Sequence, residues 1–264
     1  MLKPTVAYEL FGGKVEVLIY GKSPHELGEI EVAIIARERK IGRIYHPDTH
    51  TFNAKICRTI DFPTDARING VRIYSGVLVD GVSRIGRGEA VWLRTADCPT
   101  IIGLNSVTKE MVVAHAGRAS LIDQEGVRTC QSSRNPESVV QAMCEQLCDL
   151  GQRVSVGIEV HSCCGIGPMN FRHPTDHPEH GSFNAKMNRY IAVRYSANCF
   201  LNGNTGCGAL DLHQLIRNQF QLCGVPPDNI SHDKIDTVRD RDYFFSRRGG
   251  DATGHNTILV IRRA

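Results

Sequence analysis

A cysteine and a histidine stand where neighbouring apolar runs, read as strands, come to an end. Cys98 lies in the segment 94–99 between two such runs, and His115 directly follows the run 111–114. Turns at strand ends commonly carry active-site residues. A hairpin-like pairing of these strands would bring one thiol and one imidazole to a shared site. Such a pair can hold a transition metal or act as nucleophile and base.

Short motifs around these two residues resemble those of a known family. TADC at 95–98 and HAG at 115–117 are similar to the two central motifs of the laccase-domain purine nucleoside phosphorylase family, also called multicopper polyphenol oxidase-like proteins. Further motifs follow in the family's order: CGIGP at 164–168, LDL at 210–212, FFSRR at 244–248 and TG at 253–254. The resemblance covers the chain from Tyr45 to the C-terminus.

The resemblance implies a metal site in which a third ligand joins the TADC cysteine and the HAG histidine. In the family this ligand is the histidine of a Q-x-H motif, and His46 and His50 are the candidates here. We favour His50 because Tyr45 stands five positions before it, as an aromatic or apolar residue does in the family. His46 remains a rival, because Asp48 replaces the family's glutamine.

Cys98, His115 and a second histidine would form a ligand set typical of catalytic zinc. Two imidazoles and one thiolate leave a fourth position open for water or substrate, whereas structural zinc usually has four protein ligands. Zinc also lowers the pKa of a bound water towards about 7. The resemblance implies phosphorolysis of purine nucleosides (adenosine, inosine, guanosine) with inorganic phosphate, and adenosine deamination as a second activity.

Other classes of protein remain open at this point. The same ligands could hold copper, and a polyphenol oxidase would fit the family's older name. A laccase-type copper cluster needs several His-x-His pairs, however, and the sequence contains none, so zinc is favoured over copper. A metal-free hydrolase would use Cys98 as nucleophile and His115 as base. A binding module with structural zinc is disfavoured, since only three ligands are convincing.

Three arginines are expected to contact substrate or phosphate. Arg247 and Arg248 offer forked donors, and the glycines of the segment 246–254 would let backbone N–H groups approach an anion. A solvated basic loop is the alternative for this pair. Arg118 follows the HAG motif, where the family has HAGWRG and this chain has HAGRAS. The tryptophan is therefore missing, and the arginine stands one position earlier.

Composition and charge argue against several functions. The net charge of +3 is spread along the chain, which is too little for a nucleic-acid footprint. The segment 1–22 mixes charged with apolar residues, so it predicts neither a signal peptide nor a membrane span. We therefore expect a cytoplasmic protein without a membrane partner. Its ten cysteines are expected to be mostly reduced rather than a disulfide framework.

The pattern of strands and helices that must position these residues predicts an α/β fold. An opening hairpin is expected at 6–11 and 14–20, and later strands at 71–74, 77–79, 90–93, 100–104, 111–114, 154–160 and 257–261. The strands between 71 and 114 should be neighbours in one sheet. Caps and stop signals predict helices at 24–40, 135–150 and 211–223. Without a regular βαβ rhythm, this order predicts a single domain, 1–264, with mixed β-sheets packed in layers with flanking helices.

Further histidines and cysteines lie outside this site. We expect His161, His173, His177 and His180 to be surface histidines rather than a second metal site. The adjacent thiols at 163–164 would either face substrate or be inert.

Overall fold

A computed structural model describes residues 2–22, 25–49, 54–63, 66–129, 135–148 and 157–263. Its strands are β1 (Val6–Leu10), β2 (Val15–Tyr20), β3 (Arg43–Tyr45), β4 (Ile56–Arg58), β5 (Arg67–Ile68), β6 (Val71–Tyr74), β7 (Gly81–Ser83), β8 (Glu89–Thr95), β9 (Thr100–Asn105), β10 (Met111–His115), β11 (Ile158–Cys163), β12 (Ile230–His232) and β13 (Asn256–Arg262). Its α-helices are α1 (Glu29–Glu38), α2 (Arg118–Leu121), α3 (Gln124–Thr129), α4 (Val139–Leu147), α5 (Gly181–Tyr195) and α6 (Leu212–Leu222).

In the described part of the chain these strands form two mixed sheets. The first sheet has the order β1-β2-β13-β8-β3-β6-β5, and the second has the order β12-β11-β9-β10-β7-β4. Parallel pairs join β3 to β6 and β8, β4 to β7, and β11 to β12. The other pairs are antiparallel. The predicted α/β class with mixed sheets is confirmed.

The sheets pack face to face, with α1 on the outer face of the first sheet and several helices on the outer side of the second. Because side chains alternate between the faces of a strand, β2 points Val17 and Ile19 into the core between the sheets and Leu18 into the core beneath α1. The outer face of the second sheet packs against α4 and α6, and α5 packs against α6 in the same core. Central strands are buried on both faces, so they appear in the sequence as continuous apolar runs. No described helix combines the length and apolar composition that a bilayer-spanning segment needs.

Several predicted strands and helices are confirmed. The opening hairpin pairs Val6 with Ile19 and Leu10 with Val15. The helix predicted at 211–223 is α6, whose first turn is capped by Asp211 accepting from Gln214 N at 3.0 Å. The last strand is β13. These elements carry strong local signals.

Other expectations are wrong. The strands between 71 and 114 are not one sheet: β6 and β8 belong to the first sheet, and β7, β9 and β10 to the second. Residues 77–79 precede a strand at Gly81–Ser83 rather than forming one. Both sheets turn an apolar face to the same core, so the local pattern did not separate them. Helix α5 was not predicted.

Two helices begin later than predicted. α1 starts at Glu29, because the backbone N–H of Gly28 donates to the Glu31 carboxylate at 3.1 Å and Glu26 is engaged elsewhere. The expected cap at 23–24 lies outside the described residues. α4 starts after Ser138, whose Oγ accepts from the backbone of the first turn.

The fold brings several strand ends to one place. The segment 96–99 passes from the end of β8 in the first sheet to the start of β9 in the second. Thr100 is the register partner of His115 on one side and of Cys163 on the other. In the first sheet, the start of β13 pairs with Thr95. Cys98 therefore lies where both sheets end.

Candidate active site

The turn that carries Cys98 is held by the buried side chain of Asp97. This residue takes a left-handed conformation (φ 79°). Its carboxylate accepts hydrogen bonds from Thr237 Oγ1 at 2.7 Å, Ser246 Oγ at 2.5 Å and the backbone N–H of Arg248 at 2.8 Å. These contacts connect the TADC motif to the FFSRR motif, which lies far away in the sequence.

His115 lies beside Cys98 at the end of β10, and both side chains border Gly117. The thiol and the imidazole interact, and His115 Nδ1 lies 4.0 Å from Asp80 Oδ1. Burial favours the neutral imidazole, but negative charge on Cys98 and then on Asp80 outweighs it and raises the pKa of His115 to about 9. The second Asp80 oxygen accepts from the backbone N–H of Ala54 at 2.8 Å, which fixes the carboxylate.

Gly117 leaves space beside this pair. A Cβ at this position would lie 3.0 Å from His115 Cε1 and 3.4 Å from Cys98 Sγ. His115 Nδ1 is buried and has no hydrogen-bond partner among the described residues. A soft thiol, an imidazole and an adjacent unfilled space suit a borderline metal such as zinc.

The third predicted ligand, His50, lies outside the described residues. Within the described ranges, no group of three or more His, Cys, Asp and Glu side chains could hold a metal ion. The rival His46 stacks on Trp92, with ring centroids 4.0 Å apart, and its Nδ1 is 2.9 Å from the Trp92 carbonyl oxygen. Burial lowers the pKa of His46. Its ring lines a neighbouring pocket with Arg94 and His255 rather than the cavity at Cys98.

All the predicted site residues that the structure describes line one cavity. This Cys98 cavity has a volume of about 1100 Å³ and is bordered by Cys98, His115, Arg118, Arg247 and Arg248, with Phe171 among the further lining residues. Its size suits a small-molecule ligand rather than a macromolecule.

Arginines outnumber carboxylates in the lining of the Cys98 cavity, which includes Arg94, Arg118, Arg128, Arg247 and Arg248 beside Asp123 and Glu125. Burial and the nearby positive charge of Arg248 lower the pKa of Arg118. Arg118 Nη1 lies 3.2 Å from His173 Nδ1, and the guanidinium of Arg248 lies 5.4 Å from the ring centroid of Phe171. None of these contacts neutralises either arginine, so an anion between them would relieve their repulsion.

Arg247 is fixed by contacts with Asp251 and His255. Nη1 donates to the Asp251 carbonyl oxygen at 3.1 Å, and Nη2 lies 3.1 Å from His255 Nε2. His255 in turn meets the Glu26 carboxylate at 3.1 Å. A guanidinium has five N–H donors, so three remain for a ligand.

The predicted backbone part of the phosphate site is wrong for residues 248–250. The N–H of Arg248 donates to Asp97, that of Gly249 to Ser246 Oγ at 2.9 Å, and that of Gly250 to the Arg247 carbonyl oxygen. These groups close the loop itself. At positions 248–250 only side chains are therefore left to face an anion.

The expectation of surface histidines at 161–180 is also wrong in part. His161 and His173 are buried, whereas His180 is exposed. Burial, then the positive charges of Arg118 and Arg248, lower the pKa of His173 to about 3. Both thiols at 163–164 are buried, and burial raises their pKa, so they fit the inert alternative.

Sequence reasoning missed Asp80, His173 and His255. Asp80 interrupts an apolar stretch just before β7, and a lone carboxylate in such a stretch could have indicated a buried partner. His255 directly follows the TG motif. His173 gave no local signal, because its role depends on Arg118, which is distant in the sequence.

These features define a layered α/β protein with a Cys/His pair and arginines around one cavity. The family model described as multi-copper polyphenol oxidoreductase laccase matches residues 58–263, which is more than half of the chain. The chain therefore belongs to this family. No curated protein sequence matches it.

Solved structures share the fold across almost the whole chain. The Bacillus licheniformis hypothetical protein YfiH is 17% identical with a TM-score of 0.65, over 94% of this chain and 92% of that one. The Neisseria meningitidis protein NMB0706 is 18% identical with a TM-score of 0.62, over 95% of each chain. YlmD from Geobacillus stearothermophilus is 19% identical with a TM-score of 0.62, over 95% and 92%. At these identities the likeness concerns the fold.

Proposed function

We propose that the protein is a zinc-dependent purine nucleoside phosphorylase. It would cleave adenosine, inosine or guanosine with inorganic phosphate, with adenosine deamination as a second activity. The observation that carries this proposal is that Cys98 and His115 share one cavity with Arg118, Arg247 and Arg248. The family membership supports it, as does a cavity large enough for a nucleoside and an anion together.

Cys98, His115 and His50 would hold the metal. Bound there, zinc would supply a Lewis acid and lower the pKa of a coordinated water. Asp80 lies 4.0 Å from His115 Nδ1 and would position the imidazole, as a carboxylate behind a metal-binding histidine commonly does.

The arginines would bind the phosphate that attacks the sugar. In phosphorolysis, a phosphate oxygen forms a bond to the anomeric carbon while the bond to the base breaks. The base is released, and ribose 1-phosphate is the second product. Arg118 and Arg248 repel each other in the absence of an anion, and the remaining donors of Arg247 can complete a charged cradle. Holding phosphate close to the nucleoside lowers the entropic cost of the reaction.

Product analysis tests this proposal. Purified protein is incubated with inosine or adenosine, with and without inorganic phosphate, and the products are separated by chromatography. The proposal expects free base and ribose 1-phosphate that depend on phosphate. It also expects no oxidation of a phenolic substrate beyond the level that trace copper gives. Base release indifferent to phosphate would contradict it.

A metal-free hydrolase is the second candidate. The contact between Cys98 and His115, with Asp80 behind the imidazole, also fits a nucleophile, a base and an orienting carboxylate. Removal of metal by a chelator separates the two proposals. A hydrolase keeps its activity after chelation, whereas the proposed phosphorylase loses it and regains it with added zinc.

A further inference from the structure

A second cavity adjoins the Cys98 cavity behind two of its arginines. This His173 cavity has a volume of about 310 Å³, and Arg118 and Arg248 line both cavities. Its other walls include Arg172, His173 and His177. The two spaces therefore share a boundary made of guanidinium groups.

The buried His173 presents an unused donor. A guanidinium can only donate hydrogen bonds, so the contact between Arg118 Nη1 and His173 Nδ1 at 3.2 Å makes Nδ1 the acceptor. The proton of the neutral imidazole then sits on Nε2. His173 is only 4% exposed, and its Nε2 has no hydrogen-bond partner among the described residues. Because buried donors in folded proteins are nearly always hydrogen-bonded, we expect a ligand atom to accept from this Nε2.

His177 has the same tautomer for a similar reason. Its Nδ1 accepts the backbone N–H groups of Glu179 and His180, each at 3.2 Å. A neutral His177 consequently carries its proton on Nε2 and offers a donor. The rings of His177 and His180 stack with centroids 4.9 Å apart.

The His173 cavity is thus rich in donors. No carboxylate is among its described lining residues. Glu179 lies nearby, but it is exposed and faces His180 at 3.9 Å. Arg172 uses Nε to donate to the Met169 carbonyl oxygen at 2.8 Å, which leaves its terminal nitrogens for a ligand.

We propose that the His173 cavity is a phosphate subsite distinct from the position next to Cys98. Arg118 and Arg248 would join it to the Cys98 cavity, so that one ligand could place its purine nucleoside in the larger space and an oxyanion in the smaller. The phosphate could be the monoester group of a nucleoside monophosphate or a free phosphate ion. The inference deepens the proposed function by naming phosphorylated nucleosides as ligands.

The subsite is tested by measuring ligand binding rather than enzyme activity. The result can therefore be interpreted even if the protein proves not to be a phosphorylase. Calorimetry on the purified protein compares adenosine, adenosine 5′-monophosphate and inorganic phosphate. The test variant is Arg172→Gln, whose side chain is exposed and whose loss should not unfold the chain. Arg189→Gln, an exposed arginine on α5 away from both cavities, is the matched control.

If the occupant is the phosphate group of a nucleoside monophosphate, the monophosphate should bind at least about tenfold more tightly than adenosine. One or two charge-assisted hydrogen bonds would give this difference. Arg172→Gln should remove most of this advantage and leave adenosine binding unchanged. If the occupant is free phosphate, phosphate alone binds, Arg172→Gln weakens it, and the monophosphate gains nothing over adenosine. Either pattern supports the subsite. Equal losses in both variants, or no change with Arg172→Gln, would overturn it.

Discussion

His115 Nδ1 lies 4.0 Å from Asp80 Oδ1, and both side chains are largely shielded from solvent. A carboxylate behind a metal-binding imidazole commonly orients it through a hydrogen bond, whereas at 4.0 Å this pair is in electrostatic contact without a hydrogen bond. Asp80 is itself held by the Ala54 backbone N–H. The Asp80 carboxylate is therefore held next to the imidazole of one proposed ligand.

Asp80→Asn is expected to weaken zinc binding by roughly 10- to 100-fold, the usual effect of losing a carboxylate behind a metal-binding histidine. The asparagine can still accept from the Ala54 N–H, so the local backbone should be retained. Competition with a chromogenic chelator measures the affinity. An unchanged affinity would mean that Asp80 does not position the ligand.

Purified protein is expected to carry about one zinc ion per chain, and Cys98→Ser and His115→Ala should each abolish its retention. Removal of one of three protein ligands leaves a weak site. Elemental analysis after dialysis measures the content. Cys148→Ser is a suitable control, because this thiol lies at the end of α4, away from the Cys98 cavity. Full zinc content in either ligand variant would contradict the assignment.

The Asp97→Ala variant is expected to lower the free energy of unfolding by about 3 kcal/mol or more, because buried donors on Thr237 and Ser246 lose their acceptor. Chemical denaturation measures the change. Asp228→Ala, at an exposed aspartate, should stay within about 0.5 kcal/mol of the parent protein. If both variants unfold alike, Asp97 does not hold the two motifs together.

The sequence allowed the strand ends that carry Cys98 and His115 to be predicted, because apolar runs bounded by turn residues are local signals. The assignment of strands to sheets was not predictable in this way. β8 and β9 are similar buried runs separated by a short turn, yet they lie in different sheets. The sheet that β8 joins is set by its pairing with β13, which comes from the far end of the chain.

Helix α5 was missed because its sequence is polar and its pattern weak. Asn184 and Asn188 are buried there and donate to the carbonyl oxygens of Pro174 and His173, so the helix is fixed by long-range polar contacts. Local sequence patterns are equally silent about part of the candidate active site. Asp80 and His173 acquire their roles from partners distant in the sequence, which no spacing rule connects.

The third ligand is expected to be identified by a pair of variants: His50→Ala should remove zinc, and His46→Ala should not. His46 already binds the Trp92 carbonyl oxygen and stacks on its ring, so turning it towards a metal would cost both contacts. Zinc content of the two purified variants decides between them. The reverse result would reassign the ligand to His46 and leave the fold unaffected.

Arg247→Ala is expected to raise the KM for phosphate by roughly 10- to 100-fold, because a charged donor to the anion is lost. Zinc content should stay the same, since the guanidinium is a proposed anion contact and its present partners are Asp251 and His255. Initial rates at varied phosphate, with elemental analysis of the same preparation, separate the two effects. Arg189→Ala serves as the control for loss of one exposed positive charge. An unchanged phosphate KM, or a loss of zinc in Arg247→Ala, would remove this residue from the anion site and leave Arg118 and Arg248 as its remaining candidates.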